Sequence, residues 1–399
     1  MRLSQNSRYL SLIVLLALFI GNCKGNNNST GVRSELIDGI QHVYNTGEPL
    51  KGRMSLEVTE VLRIDPDEIN LDNTPLFQIA VKDDSGNLYL ADVQNVRVYK
   101  FDSHGKLLAQ FLAKGQGPGE FPRFGDLQIA GNQAWIIGNW PLKITKFTLD
   151  GRFVNEWTFP SFRNFYLQTQ VITEDKFLTV SYQEGTEGQD RIRVSALINS
   201  NEEFLTLYYE DKDVGILRIR TGEREGPAIA STNPLVAADI HHAYDHHSGV
   251  VYVCNNREYK IQSKNHDGTT RMIIHKDHKS IILDEDKKES ILQLIAPQLP
   301  MEARPQAKEQ LPDTLNAIWG MSVLPNGHLA VKRITGVDSV EVDVFDGEGC
   351  LLYTILPSAE IPNLRNVTIY EKTIGVISES EDKTIYVEYK VKNIRGMFD

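Results

Sequence analysis

The sequence repeats itself. Residues 77–112, FQIAVKDDSGNLYLADVQNVRVYKFDSHGKLLAQFL, hold four short runs rich in Val, Ile, Leu, Tyr and Phe, separated by Asp, Asn and Gly. Runs of this kind between turn residues are the strands of successive hairpins. The same order returns in residues 124–159, where the turn glycine has moved 45 residues, from Gly86 to Gly131, and the turn aspartate 48, from Asp102 to Asp150. Four strands recurring every 40 to 50 residues or so predict a β-propeller, in which neighbouring units bury faces that none can bury alone.

Four further units follow, at residues 165–210, 235–275, 319–356 and 364–392, and the last has three strands where the others have four. Ahead of the first unit lies MSLEVTEVLRI, residues 54–64, a strand without a blade. An open sheet edge exposes unpaired backbone groups, so this strand is expected to complete the sixth blade and close the ring. The fold predicted is an all-β, six-bladed β-propeller. Two segments interrupt the period, at residues 211–234 and 284–318. The second carries SILQLI before Pro297, the pattern of a short amphipathic helix stopped by proline.

Arg2 and Arg8 precede an apolar run over residues 9–21, which is too short for a comfortable membrane span and suits a secretory signal. It ends in Ile20-Gly21-Asn22-Cys23, which resembles a bacterial lipobox, with Asn22 departing from the usual Gly, Ala or Ser. Cys23 is therefore the expected lipidation site, with plain secretion and an uncleaved anchor as alternatives. The layout read from the chain is a signal peptide over residues 1–23, a flexible tether over 24–53 and the propeller over 54–399, with its insertion at 284–318. The expected address is the bacterial cell envelope. Lys24 follows the cysteine in place of the Asp that favours inner-membrane retention in enteric bacteria, which leans toward the outer membrane. A net charge of −11 with scattered Lys and Arg argues against a nucleic-acid partner. Cys254 and Cys350 are too few for a disulfide framework and are expected as two buried free thiols.

The order NLYLADVQNVRVYKFDSHGKLLAQF followed by KGQGPGEF resembles the NHL-type six-bladed β-propeller proteins, many of them bacterial envelope lipoproteins. The likeness runs from residue 77 to 124 and fades beyond 165. It implies the fold well and a function poorly, since propellers carry binding, lyase, hydrolase and scaffold roles. The three glycines of KGQGPGEF raise the question of a phosphate cradle. Such a loop leads into a helix, with Lys and a hydroxyl after the last glycine, whereas here Lys114 precedes them, Glu120 follows and a strand comes next. Gly115, Gly117 and Gly119 are read instead as the crossing from one blade to the next.

Blade-to-blade links share a face with the loops between second and third strands, and the central mouth of that face is the expected ligand site. Arg97, Lys114, Glu120, Arg123, Trp140, Arg163, Arg257, Arg333 and Arg365 are the candidates to line it. Several arginines suit an anionic or carboxylated ligand, while each could equally pair with a neighbouring carboxylate. The stretch IHHAYDHHSG offers His241, His242, His246 and His247, but adjacent histidines on a strand face opposite ways, so no metal and no cofactor is expected. Two functions remain. One is a non-catalytic lipoprotein that binds a ligand or envelope protein at its mouth. The other is a propeller enzyme, a metal-assisted lyase or hydrolase, which would need several of His241, His242, His328, Asp239 and Glu120 to converge on the axis.

Overall fold

The computed structural model describes residues 31–69, 75–139, 142–159, 166–183, 192–212, 217–220, 228–379 and 383–393. Six antiparallel sheets form the blades of a six-bladed β-propeller. Blade 1 runs through Phe77–Lys82, Leu88–Asp92, Arg97–Phe101 and Leu107–Phe111, each strand paired with the next. Blades 2 and 3 repeat this order from Asp126–Ala130 to Phe153–Phe159 and from Tyr166–Val171 to Phe204–Asp211. Blade 4 begins at Ile240–Tyr244, blade 5 at Ile318–Val323 and blade 6 at Val367–Ile369. The hairpins turn as their residues require. In blade 1, Asp102 accepts backbone N–H bonds from His104 (2.9 Å) and Lys106 (3.0 Å), and Gly105 takes the left-handed φ of 84°.

Blade 6 supplies only three strands of its own, and Val58–Ile64 pairs with Thr384–Val391 as its fourth. The ring is thus closed by the N-terminal strand, as expected. The closing segment is shorter than residues 54–64, because Arg53–Ser55 joins the outer strand of blade 5 in parallel. Residues 32–45, expected as tether, form a hairpin of Val32–Ile37 and Ile40–Asn45. The latter strand adds in parallel to Thr270–Lys276 of blade 4, where Val43 is wholly buried and His42 Nδ1 lies 3.0 Å from His275 Nε2. The chain therefore covers the outer edges of blades 4, 5 and 6 before the first blade begins. Its apolar alternation, with Val43 turned inward, outweighs the polar composition that suggested a tether.

Most seams between blades are apolar, with clusters such as Tyr89, Val98, Phe121 and Ile136 between blades 1 and 2. The seam of blades 3 and 4 holds only small apolar clusters beside buried Arg193, Ser195, His241 and His242. The two interruptions of the period pack together. Ile291 and Leu292 of the helix Glu285–Ile295 are fully buried in one cluster with Ile219, Leu235 and Val236 from the link after blade 3. Each such side chain stabilises by roughly 1.5–3 kcal/mol relative to exposure. Asn256 and Asn316 fasten this cap to blade 4, both donating to the carbonyls of Pro234 and Ala237. Cys254 is a buried free thiol. Cys350 is buried but not free, which corrects the expectation of two thiols.

Candidate binding site in the axial channel

A cavity of about 990 Å3 runs along the axis, lined by the first strands of all six blades. Its wall is built from amides that reach from one blade to the next. Gln128 of blade 2 donates to the Thr169 carbonyl (2.6 Å) and accepts from Val171 N–H (2.9 Å) of blade 3. Gln170 of blade 3 accepts from Tyr244 N–H of blade 4 at 3.1 Å. A glutamine is long enough to span neighbouring first strands and has both donor and acceptor to satisfy them. Blades 6 and 1 are joined by Lys82, which pairs with Glu388 at 2.5 Å and lies 5.0 Å from the Tyr370 ring centroid.

Between blades 5 and 6 the wall carries Lys332, from the second strand of blade 5. Its ammonium donates to the carbonyls of Arg365 (2.6 Å) and Val367 (2.9 Å), and burial pulls its pKa down to about 8. Arg365 lies beside it on the chain leading into blade 6. Its guanidinium stacks 4.7 Å from the Trp319 ring centroid and donates to the Val337 carbonyl. Burial lowers its pKa as well.

At the seam of blades 3 and 4, Arg193 Nη2 lies 2.9 Å from Asp239 Oδ1, and Arg193 covers the Tyr182 ring at 5.0 Å. Burial raises the Asp239 pKa to about 6 although Arg193 opposes the shift. His241 contacts Gln168 (3.4 Å) and His242 contacts Ser195 Oγ (3.1 Å) through their Nδ1 atoms. Burial holds both imidazoles neutral, with pKa values lowered to about 4 and about 3. His246 and His247 lie exposed on the turn beyond. Among the described residues no three His, Cys, Asp or Glu side chains gather as a metal site.

Of the residues expected to line the mouth, Arg365 lines the channel, and of the histidines of IHHAYDHHSG, His242, His246 and His247 border it. Trp140, Arg163 and Cys23 lie outside the described residues. Arg97 donates to the Leu112 carbonyl, where the chain leaves blade 1 with φ 77°. Arg333 is held by Asp343 (2.9 Å) and Glu341 within its own blade. Lys114, Arg123 and Arg257 are exposed and away from the channel wall.

Glu120 turns back into its own loop. Its carboxylate accepts from Gly117 N–H at 3.0 Å and fills the space where a Cβ on Gly115 would fall 2.0 Å from Oε2. Gly119 N–H donates to Glu156 (2.9 Å), which pairs with Lys143 (3.0 Å). The glycine loop thus wraps the protein's own carboxylates and serves as the crossing between blades. Lys332, Gln78, Gln128, Gln168, Gln170 and Ser322, all on the channel wall, were not singled out. For the glutamines and Ser322 the available signal was position, since the first strand of each repeat faces the axis; Lys332, on a second strand, carried no such signal.

The model of the DUF5128 family, described as a 6-bladed beta-propeller, matches residues 71–220. No curated protein matches the chain. Among solved structures, a member of the DUF4221 family from Bacteroides vulgatus is 8% identical, with 85% of this chain and 99% of that one covered and a TM-score of 0.51. A Bacteroides fragilis protein is 12% identical, over 88% of this chain and 100% of its own, with a TM-score of 0.48. Virginiamycin B lyase from Staphylococcus aureus is 10% identical, over 85% of this chain and 90% of its own, with a TM-score of 0.41. At these identities the likeness concerns the fold alone.

Proposed function

We propose that this chain is an envelope lipoprotein of the NHL-type kind, anchored through Cys23, whose propeller binds a small ligand in its axial channel without transforming it. The observation that carries the reading is the channel itself, about 990 Å3 and lined by both polar and apolar side chains from every blade. That volume lies at the upper end of the range of small-molecule sites, in which a mostly shaped wall is combined with a few fixed polar groups. Gln128 and Gln170 hold that wall rigid by bonding across the seams. The histidines and carboxylates that line the channel do not gather: among the described residues no three His, Cys, Asp or Glu side chains come together as a metal site. His241 and His242 are buried against Gln168 and Ser195, and Glu120 closes its own loop.

Ser322 is exposed on the channel wall, so Ser322→Trp fills the channel without disturbing a packed core. Incubating the purified protein with a small-molecule extract of the cell envelope, followed by gel filtration and mass spectrometry, tests the reading. Wild type should retain compounds that Ser322→Trp loses. Equal retention by both, or retention by neither, overturns it.

A further inference from the structure

Several buried or half-buried cations among the described residues have carboxylate partners. Lys82 pairs with Glu388, Lys100 with Asp150, Lys146 with Glu174, Arg193 with Asp239, and Arg333 with Asp343 and Glu341. Lys332 and Arg365 lie side by side on the channel wall, and among the described residues neither has a carboxylate within ion-pair distance; Lys264 and Lys276 also lack one but lie off that wall. An ammonium has three N–H donors, and two of those on Lys332 are taken by neutral carbonyls. Arg365 Nε is buried with no hydrogen-bond partner. The acid that acts on Arg365 is Asp338, which is exposed. Of the channel's carboxylates, Asp126 is bonded to Gln128 and its backbone neighbour Leu127, Asp245 to Ser248, and Glu379 is exposed and makes no ion pair with either cation. Removing a charge from water is costly unless an opposite charge offsets it, so two neighbouring uncompensated cations on a cavity wall mark the place of a missing anion.

We infer that Lys332 and Arg365 form an oxyanion-binding pair in the channel wall, which takes the carboxylate or phosphate group of the channel's ligand. The inference rests on the binding reading above and gives the ligand its chemical class. Lys332 supplies a point charge fixed by the carbonyls of Arg365 and Val367. Arg365 supplies a second positive charge, its guanidinium held in place by stacking on Trp319 and by the Val337 carbonyl.

The test uses the whole protein with propionate and inorganic phosphate as probes, followed by calorimetry and by thermal unfolding at matched ionic strength in chloride. Wild type should bind at least one of the two saturably at one site and unfold at a higher temperature in its presence. The anion that binds identifies the group. Lys332→Met and Arg365→Gln should each weaken binding by about tenfold or more and abolish the thermal shift. Should Lys332→Met fail to fold, Arg365→Gln decides on the same readouts. Wild-type affinity in the variants, or no binding of either anion beyond chloride, overturns the inference. If that happens while Ser322→Trp still abolishes ligand retention, the channel remains the site and only its anionic ligand is lost.

Discussion

His242 sits with one face on the channel and its Nδ1 on Ser195, in the polar seam between blades 3 and 4. Burial lowers its pKa from the ordinary 6.5 to about 3, so the folded protein keeps the neutral ring while the unfolded chain takes up a proton near pH 6.5. The stability that His242 lends is fully present above pH 6.5 and is lost as pH falls toward 3. Asp239, raised to about 6, acts oppositely, its contribution being present at low pH and lost as pH rises through 6. A difference measurement separates the two. The gap in unfolding free energy between wild type and His242→Asn should shrink by about 3 kcal/mol between pH 7 and pH 4, measured by urea denaturation. A pH-independent gap would show that the ring titrates in the fold as it does in the unfolded chain. Residue identity in the sequence could not reveal this environment. His241 and His242 stood out as potential ligands, yet their neighbours Gln168 and Ser195 come from strands 47 to 73 residues away.

At the scale of elements, the closing strand is the piece on which the ring depends. Leu62 and Ile64 are buried against blade 1, where a Cβ added to Gly105 would lie 2.9 Å from Leu62 Cδ1 and 3.1 Å from Ile64 Cδ1. Gly86, in another turn of the same blade, has nearly the same φ of 80° and nothing within 4 Å of an added Cβ. Both substitutions to Ala strain the left-handed backbone, at a cost on the order of 1–3 kcal/mol. Gly105→Ala should lower the melting temperature further than Gly86→Ala, since it also pushes on the closing strand. Equal effects would mean that the strand does not bear on that turn. The elements themselves were legible because turn residues and apolar runs act locally. The helix before Pro297 was legible for the same reason. The hairpin Val32–Ile37 and Ile40–Asn45 was not, because its polar flanks describe a tether and only its docking on blade 4 makes it a strand pair.

For the whole molecule, the N-terminal chain joins the proposed anchor to blades 4, 5 and 6 before blade 1 is reached. Labelling cells with a fatty-acid probe tests the anchor. Cys23→Ala should lose the label and release the propeller into the soluble fraction, and an unchanged label would refute lipidation. No helix among the described residues is long and apolar enough to cross a membrane. The sequence alone determined the six blades, their order and the N-terminal closure, because a repeat of about 45 residues leaves a chain of short hairpins no other way to bury both faces of each sheet. Only the tertiary structure decided which polar residues share the axis. KGQGPGEF carries the most visible polar motif, yet its amides turn to Glu120 and Glu156. Lys332, unremarked within a strand, meets Arg365 on the channel wall because blades 5 and 6 abut there. Convergence of that kind is set by the packing of blades, which no local pattern in the chain records.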